Sequence, residues 1–239
     1  LNRIEAAEKK EAELTGGNSL YDFAAGHLYF GLHKTDDGWV IREWLPNATF
    51  IFLIGNFNDW QEKQPYEFVR LENGVWELNL SEDALHHGDL YALSVHWAID
   101  FAKRIPAWAT YVVQDSETHI FNAKVWAPET KYSWRTSDFR RSDDPPLIYE
   151  AHIGMAGEEE CVHSYAEFRE KMLPRIKKNG YNTLQLMAIP EHPYYGSFGY
   201  HVSSFFAPSS RFGTPDELKA LIDAAHEMGI AVIMDLVHS

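Results

Sequence analysis

A carboxylate, Asp235, stands directly after the strand-forming run IAVIM of residues 230–234. If that run is a strand of a parallel sheet, its carboxyl end lies where α/β proteins form their ligand sites, in open sheets and in barrels alike. Taken alone, an aspartate in this place is more often a turn residue or a helix N-cap. Asp235 is therefore a candidate site residue whose interpretation depends on the elements around it.

The segment EHPYYGSFGYHVSSFFAPSSRFG, residues 191–213, is the second candidate. It is too long for a plain connection between a strand and a helix, which usually takes about 2 to 6 residues. Its aromatic side chains offer flat faces that can stack on sugar rings, and its glycines allow the backbone to approach a ligand closely. Tyr200 lies within this segment, although a loop aromatic of this kind can also serve only to pack the top of a sheet.

Residues 147–239 alternate between apolar runs and amphipathic segments. Capping-box patterns predict that helices begin after Ser164 and Thr214. The first helix is expected to bury one face, formed by Phe168, Met172 and Ile176. The predicted strands are LIYEAHIG (147–154), NTLQLMAI (182–189) and IAVIMDLV (230–237). A β-α-β-α-β order with nearly all-apolar strands is typical of a parallel sheet that is covered on both faces.

The first half of the chain has a different periodicity. Residues 1–14 are rich in Ala, Glu and Lys and predict an exposed helix that ends at paired glycines. Between residues 21 and 125, short runs of β-branched and aromatic residues alternate with turn residues, which predicts an all-β sandwich. The Asn73-Gly74 pair predicts a tight hairpin inside that sandwich.

These patterns divide the chain into four parts. The expected boundaries are an N-terminal helix (1–20), a β-sandwich (21–128), a polar linker that ends in prolines (129–146) and an α/β part (147–239).

The charge balance argues against one class of partner. The 239 residues contain 21 Lys and Arg against 35 Asp and Glu, a net charge of -14, whereas nucleic-acid affinity comes mainly from clustered basic residues. No stretch resembles a signal peptide or a membrane span of about 20 apolar residues, so neither nucleic acid nor membrane is expected as a partner. The single cysteine, Cys161, allows no internal disulfide and favours a reducing cytoplasm. Because the sequence begins at Leu1 rather than at methionine, we expect it to be an excerpt or a processed product.

Several stretches are similar to sequences of one enzyme family. QLMAI at 185–189, YYGSFGYHV at 194–202 and MDLVHS at 234–239, with the spacing between them, closely resemble the start of the catalytic barrel of 1,4-alpha-glucan branching enzymes of the alpha-amylase superfamily. The eukaryotic type is the nearest. GNFNDW at 55–60 and RIPAW at 104–108 resemble the starch- and glycogen-binding sandwich that precedes that barrel.

The resemblance covers residues 21–239 and implies a multidomain architecture. The sandwich, 21–128, would be an immunoglobulin-like carbohydrate-binding module. Residues 147–239 would supply the first three β-strands and two helices of a (β/α)8 TIM barrel, whose remainder would lie beyond the sequence.

The resemblance also implies a chemistry, the retaining transfer of a glucan segment. An aspartate attacks the anomeric carbon of an α-1,4-linked glucan, a glutamate protonates the leaving glycan, and the 6-hydroxyl of a second glucan then accepts the segment as an α-1,6 branch. In this family the nucleophile, the acid/base and a third carboxylate follow the fourth, fifth and seventh strands, beyond Ser239. We therefore expect no catalytic residue within the sequence and no turnover by the 239-residue chain alone.

Three residues match substrate-binding positions of the family. Tyr200 matches the tyrosine that packs beneath the sugar at the cleavage subsite. Asp235 matches the aspartate that ends the third strand and helps to hold an arginine and the nucleophile. Trp60 matches a tryptophan that can stack on glucose in glycogen-binding modules, although a tryptophan at a strand end is often only a lid on the core. A second platform could come from Trp39, Trp97 or Phe101.

Neither a metal nor another cofactor is expected. His192, His201 and His238 lack the ligand spacing of zinc sites, and Ser239 stands where calcium-binding amylases carry an asparagine. The expected partner is an α-glucan polysaccharide such as glycogen, amylose or amylopectin. The expected location is the cytoplasm, or a plastid if the source is a plant or an alga.

Two alternatives remain open. A related glucan hydrolase or debranching enzyme would share the domain order but should differ in the YYGSFGYHV segment. A non-catalytic glycogen-binding protein, built from the sandwich and a partial barrel, would be consistent with the missing carboxylates.

Overall fold

The computed structural model describes residues 2–238. The chain begins with helix α1 (Asn2–Thr15), which is exposed along its length except at Thr15. The exposed N-terminal helix is therefore present as predicted. A short helix, α2 (Leu20–Phe23), follows it, and Ser19 caps that helix by accepting a hydrogen bond from the Asp22 N–H.

Two antiparallel sheets form the sandwich. Its strands are β1 (Gly31–Thr35), β2 (Gly38–Trp44), β3 (Phe50–Gly55), β4 (Val69–Arg70), β5 (Val75–Leu80), β6 (Leu90–His96), β7 (Phe101–Arg104), β8 (Val112–Gln114) and β9 (Phe121–Lys124). One sheet has the order β1-β2-β5-β4 and the other β3-β6-β9-β8, with β7 also paired to β6. Buried side chains from both sheets, including Ile41, Trp76, Leu53 and Leu93, share one hydrophobic core.

The predicted hairpin is present between β4 and β5. Asn73 and Gly74 both adopt left-handed backbone conformations, with φ of 56° and 79°. The Leu71 N–H donates to the Val75 carbonyl at 2.8 Å and closes the turn. A Cβ on Gly74 would lie 2.6 Å from the Pro46 Cβ, so this position requires glycine.

The α/β part contains the predicted three-stranded parallel sheet. Its elements are β10 (Ile148–Ala151), α3 (Tyr165–Glu167), α4 (Leu173–Lys178), β11 (Thr183–Leu186), β12 (Pro190–Glu191), β13 (Ser204–Pro208), α5 (Pro215–Glu227) and β14 (Ala231–Met234). The strands β10, β11 and β14 lie side by side in that order and run parallel. This is the β-α-β-α-β arrangement expected from the sequence.

Both capping boxes form. The Ser164 hydroxyl accepts from the Glu167 N–H at 3.2 Å, and the Glu167 carboxylate accepts from the Ser164 N–H at 3.0 Å. This backbone hydrogen bond is the main reason that the pKa of Glu167 falls to about 2. Thr214 and Glu217 repeat the exchange at the start of α5.

The helix after Ser164 differs from the expected one. A π-helical turn, Phe168–Met172, separates α3 from α4 and lies immediately before Leu173 and Pro174. Since Pro174 has no N–H to donate and its ring crowds the preceding turn, the wider π turn accommodates it. The extra residue shifts the buried face, so Leu173 is fully buried and Met172 only half-buried. The predicted face is still present, because Phe168 and Ile176 are buried and the half-buried Met172 packs against the same core.

The long segment 191–213 is more ordered than a loop. Its ends pair as a small antiparallel sheet of β12 and β13. From β13, Phe206 stacks on Trp108 of the sandwich with ring centroids 4.2 Å apart, and the neighbouring Ala207 is buried in the sandwich core. The segment that carries Tyr200 is thus held from both structural parts.

The segment predicted as a linker, 129–146, contains no helix or strand but is fastened to α5. The fully buried Asp223 carboxylate accepts five hydrogen bonds, from the Tyr132 hydroxyl, the Arg135 N–H and Nε, and the Thr136 N–H and hydroxyl. Burial by itself would raise the pKa of Asp223, but these hydrogen bonds outweigh it and hold the pKa well below the usual range. The segment therefore acts as a strap rather than as a free tether.

Candidate functional site

The structure brings two predicted site residues into contact. Asp235 follows β14, and its N–H donates to the Leu186 carbonyl at the end of the neighbouring strand β11. The Tyr200 hydroxyl donates to Asp235 Oδ2 at 3.1 Å. This hydrogen bond is the largest cause of the raised pKa of Tyr200, so the phenol stays protonated and remains a donor. The pair lies at the carboxyl end of the parallel sheet, as expected of a barrel site.

The backbone before Tyr200 is tightly constrained. Phe198 and Gly199 have left-handed φ values of 53° and 86°. A Cβ on Gly199 would lie 2.4 Å from the Ala188 carbonyl oxygen, so only glycine fits beside the residues that follow β11. Left-handed geometry at a phenylalanine is uncommon, and it aims the next side chain, Tyr200, in a fixed direction.

Glu191 is a site-forming residue that the sequence predictions missed. Its carboxylate is fully buried at the carboxyl end of the second barrel strand. It accepts from the Ser210 N–H at 2.7 Å, the Ser210 hydroxyl at 2.8 Å and the Ser209 hydroxyl at 3.2 Å. The far end of segment 191–213 is thereby closed back onto its beginning. A signal was available in the sequence, because Glu191 follows the predicted strand 182–189 after a single proline.

His152 was also missed. It follows β10, the first barrel strand, and is only 7% exposed. Neither ring nitrogen has a hydrogen-bond partner among residues 2–238. The imidazole is instead surrounded by nearly perpendicular aromatic rings, those of Tyr195, Phe198 and Phe212, at centroid distances of 5.8, 5.6 and 5.4 Å. The only sequence signal was a polar residue at the end of an apolar strand.

Trp60 lies apart from this pair, in the turn after β3. The backbone N–H of Trp60 donates to the Gly55 carbonyl at 2.8 Å. The buried Asn58 side chain holds the same turn, since it accepts from the Gly55 N–H and donates to the Leu53 carbonyl. The indole is half-buried, with Lys103 Nζ 5.6 Å from its centroid. A residue that is only half-buried and contacts a cation is compatible with both predicted roles, as a sugar platform and as a lid on the core.

The sheet beside Trp60 carries further groups that suit a sugar. The Ser94 hydroxyl donates to Glu62 at 2.7 Å, and His96 Nε2 lies 2.8 Å from the same oxygen. Burial would raise the pKa of Glu62, but these two hydrogen bonds lower it on balance. Phe101 is exposed and stacks on His96 at 5.4 Å. The Glu62 carboxylate can accept hydrogen bonds from hydroxyl groups, and the exposed Phe101 ring offers an apolar face nearby.

Three aromatic residues were candidates for a second sugar-stacking platform, and the structure excludes one of them. Trp39 is 5% exposed, donates to the Glu82 carbonyl and belongs to the sandwich core, so it cannot stack on a ligand. Trp97 is half-buried under Arg104, whose guanidinium carbon is 5.6 Å from the indole centroid. Phe101 is the most accessible of the three.

A separate cleft lies away from the Tyr200–Asp235 pair. It has a volume of about 740 Å³ and runs between the sandwich and α5, lined among others by Lys34, Lys124, Trp126 and Lys219. Neither Tyr200, Asp235 nor Trp60 lines it. The strand-end pair, and not this cleft, lies where barrel proteins place their chemistry.

The three histidines that were considered as metal ligands lie in different surroundings. His192 is buried, His201 is exposed, and His238 stacks on Phe205 at 5.5 Å. Ser239 lies outside the described residues. Within residues 2–238, no group of three or more His, Cys, Asp or Glu side chains is placed to hold a metal ion. No helix in the same range is both long and apolar enough to cross a membrane.

Two protein families match parts of the chain. Residues 29–109 match carbohydrate-binding module 48 (isoamylase N-terminal domain), and residues 170–239 match the alpha amylase catalytic domain. These matches coincide with the sandwich and with most of the parallel α/β part. The expected order, a sandwich of the carbohydrate-binding-module type followed by the start of an amylase-type barrel, is confirmed.

Curated relatives share the sequence over nearly the entire chain. The 1,4-alpha-glucan-branching enzyme of Dictyostelium discoideum is 41% identical over 244 residues, covering 100% of this chain and 35% of that protein. The enzyme of the same name from Yarrowia lipolytica is 45% identical over 233 residues, covering 92% of this chain and 33% of that protein. The chain thus spans about a third of the length of these relatives.

Solved structures share the fold. A pullulanase type I from Bacillus subtilis, solved in complex with maltose, superposes with a TM-score of 0.71 at 21% identity, covering 87% of this chain and 32% of that chain. At this identity the similarity concerns the fold alone.

Proposed function

We propose that the chain is the N-terminal part of a 1,4-alpha-glucan-branching enzyme, because proteins of that name are 41% and 45% identical to it over 100% and 92% of its length and both domain matches fit such an enzyme. The complete protein would cleave an α-1,4-linked glucan, hold the segment on an aspartate and transfer it to a 6-hydroxyl. The nucleophile and the acid/base would come from later barrel strands. Its substrates would be glycogen, amylose or amylopectin, and its compartment the cytoplasm.

The observation that carries this proposal is the Tyr200–Asp235 hydrogen bond at the carboxyl end of the barrel strands. A phenol ring with its hydroxyl fixed on a carboxylate presents a rigid apolar face to a sugar ring. In our proposal the ring packs beneath the glucose at the cleavage point, and Asp235 helps to place an arginine and the nucleophile. Both residues therefore orient the reaction without exchanging a proton with the substrate.

Incubation of the complete protein with amylose tests the proposal. We expect the iodine complex to lose colour and shift to shorter wavelength, without a proportional rise in reducing ends. A hydrolase or debranching enzyme would release reducing ends in proportion to the bonds cleaved, and that result would replace the proposal. A non-catalytic binding protein would change neither signal.

The polypeptide of residues 1–239 is expected to give no turnover in the same assay, because three barrel strands cannot supply the carboxylates that follow the fourth, fifth and seventh. The measurement compares reducing ends and iodine absorbance over long incubations at high protein concentration. Reproducible turnover by this polypeptide would contradict the assignment of the chemistry to later strands.

We further propose that the face around Trp60 binds α-glucan. Trp60→Ala in the 239-residue chain should weaken retardation by glycogen in a native gel about three- to tenfold, since one stacking platform is lost. Trp134→Ala, which removes an exposed tryptophan from the strap, is the matched control and should leave retardation unchanged. Equal retardation of the two variants and the unmodified chain would assign Trp60 to the core.

A further inference from the structure

The tripeptide Phe198-Gly199-Tyr200 touches all three parallel strands or the residues that directly follow them. Ala188, after β11, leaves no space for a side chain at Gly199. Asp235, after β14, accepts the hydrogen bond of Tyr200. The third contact comes from His152, directly after β10, whose ring lies 5.6 Å from the Phe198 ring at an interplanar angle of 89°.

His152 contacts Phe198 by packing of the two rings and not by a hydrogen bond. Both of its ring nitrogens are buried and unpartnered among the described residues. Burial lowers the pKa of His152, with a further contribution from the neighbouring His192, which favours the uncharged ring. An uncharged imidazole edge fits between perpendicular aromatic rings as an aromatic side chain would. Buried polar atoms without partners are rare and often mark functional places.

Phe198 needs this support. Its left-handed backbone costs free energy for a bulky residue and persists only where the surroundings fix it. Without the His152 ring packed against Phe198, the turn could relax and move the Tyr200 ring away from Asp235. A displacement of about 1 Å at a reacting centre can cost about 10²-fold in rate.

We propose that His152 is a positioning residue for glucan transfer, which acts by holding Phe198 and thereby Tyr200 in place. This inference rests on the proposed function, because Tyr200 must contact the sugar for the positioning to matter. His152 itself neither touches the substrate nor takes part in proton transfer. It is the contribution of the first barrel strand to a site otherwise built from the second and third.

A double-mutant cycle on the complete protein tests the proposal. His152→Ala should lower kcat/KM for amylose about 10- to 30-fold, and mainly through kcat if the glucan is still held by its other contacts. In a Tyr200→Ala background the same substitution should change kcat/KM less than about twofold, because its target is already absent. His152→Phe keeps an aromatic ring against Phe198 and should restore most of the rate. Multiplicative losses in the double variant, or no rescue by His152→Phe, would overturn the proposal.

Hydrogen exchange on the 239-residue chain separates this inference from the proposed function. His152→Ala and Phe198→Ala should each accelerate exchange in residues 197–202, whereas His152→Phe should not. Unchanged exchange in the parallel strands β11 and β14, as well as in the sandwich, shows that the variants are folded. If the complete protein fails to branch amylose but the exchange pattern holds, the proposed function fails and the positioning contact stands. If exchange in 197–202 is unchanged by both alanine variants, the positioning contact is refuted whatever the activity.

Discussion

Replacing Tyr200 by alanine in the complete protein should lower kcat/KM for amylose on the order of 10²- to 10³-fold. The substitution removes the apolar face beneath the sugar and leaves the glucose free to shift relative to the nucleophile. It also removes the hydroxyl that donates a hydrogen bond to Asp235 at 3.1 Å. Steady-state rates of branch formation at several amylose concentrations measure the effect and separate kcat from KM.

Tyr200→Phe divides this effect into its two parts. It keeps the ring and removes only the hydroxyl, so a loss of about tenfold is expected, the lower end of the range for one hydrogen bond to a charged group, since Tyr200 is partly exposed. Tyr194→Ala, in the same segment and exposed, is the matched control and should change kcat/KM less than about twofold. If Tyr200→Ala were as active as Tyr194→Ala, Tyr200 would be a packing residue of the barrel top.

Replacing Asp223 by alanine should destabilise the 239-residue chain by about 3–5 kcal/mol, the scale expected when one partner of a buried charged network is removed. Five donors of the strap, on Tyr132, Arg135 and Thr136, would lose their common acceptor. The strap should then detach from α5. Chemical denaturation followed by circular dichroism measures the loss.

Glu227→Ala is the control for this effect. It removes a carboxylate from the same helix that also pairs with Arg135, at 3.0 Å, but is exposed. A surface ion pair of this kind contributes less than about 1 kcal/mol. If Asp223→Ala cost no more than Glu227→Ala, the strap would be held by other contacts, such as the stack of Phe139 on His226 at 4.0 Å.

The pH dependence of the Asp223 contribution has a definite sign. Folding lowers the pKa of this carboxyl below its ordinary value of 3.8, so the unfolded chain binds the proton more tightly than the folded one. The stabilisation is therefore fully present above that value and is lost progressively as the pH falls below it. The difference in unfolding free energy between the unmodified chain and Asp223→Ala should therefore shrink as the pH falls from about 5 to about 2.

Local sequence patterns specified much of this fold. The capping boxes at Ser164 and Thr214 set the helix starts because side chain and backbone hydrogen bonds both lie within three residues. Asn73-Gly74 set a hairpin because its conformation depends on those two residues alone. Asp235 was identifiable because its position after a strand is itself local, and its contact with Tyr200 followed from two segments meeting at one sheet edge.

The features that were missed depend on distant parts of the chain. The buried Leu173 was left off the predicted face because a regular helical period was assumed, whereas the π turn before Pro174 adds a residue. His152 lies 46 positions from Phe198 in sequence, and no local pattern predicts that three aromatic rings and a histidine pack together. Trp39 and Phe101 both sit in sandwich strands, but only the packed sheets reveal that one is buried and the other exposed.

The most direct test of the account is a count of α-1,6 linkages by proton NMR, after the complete protein has acted on linear amylose. We predict that α-1,6 anomeric signals rise while α-1,4 signals fall by an equal amount and the reducing-end signals stay constant, since each transfer conserves the number of glycosidic bonds. A rise of reducing-end signals without new α-1,6 linkages would show hydrolysis and contradict the account. Unchanged spectra would show that the sandwich and the barrel serve binding without transfer.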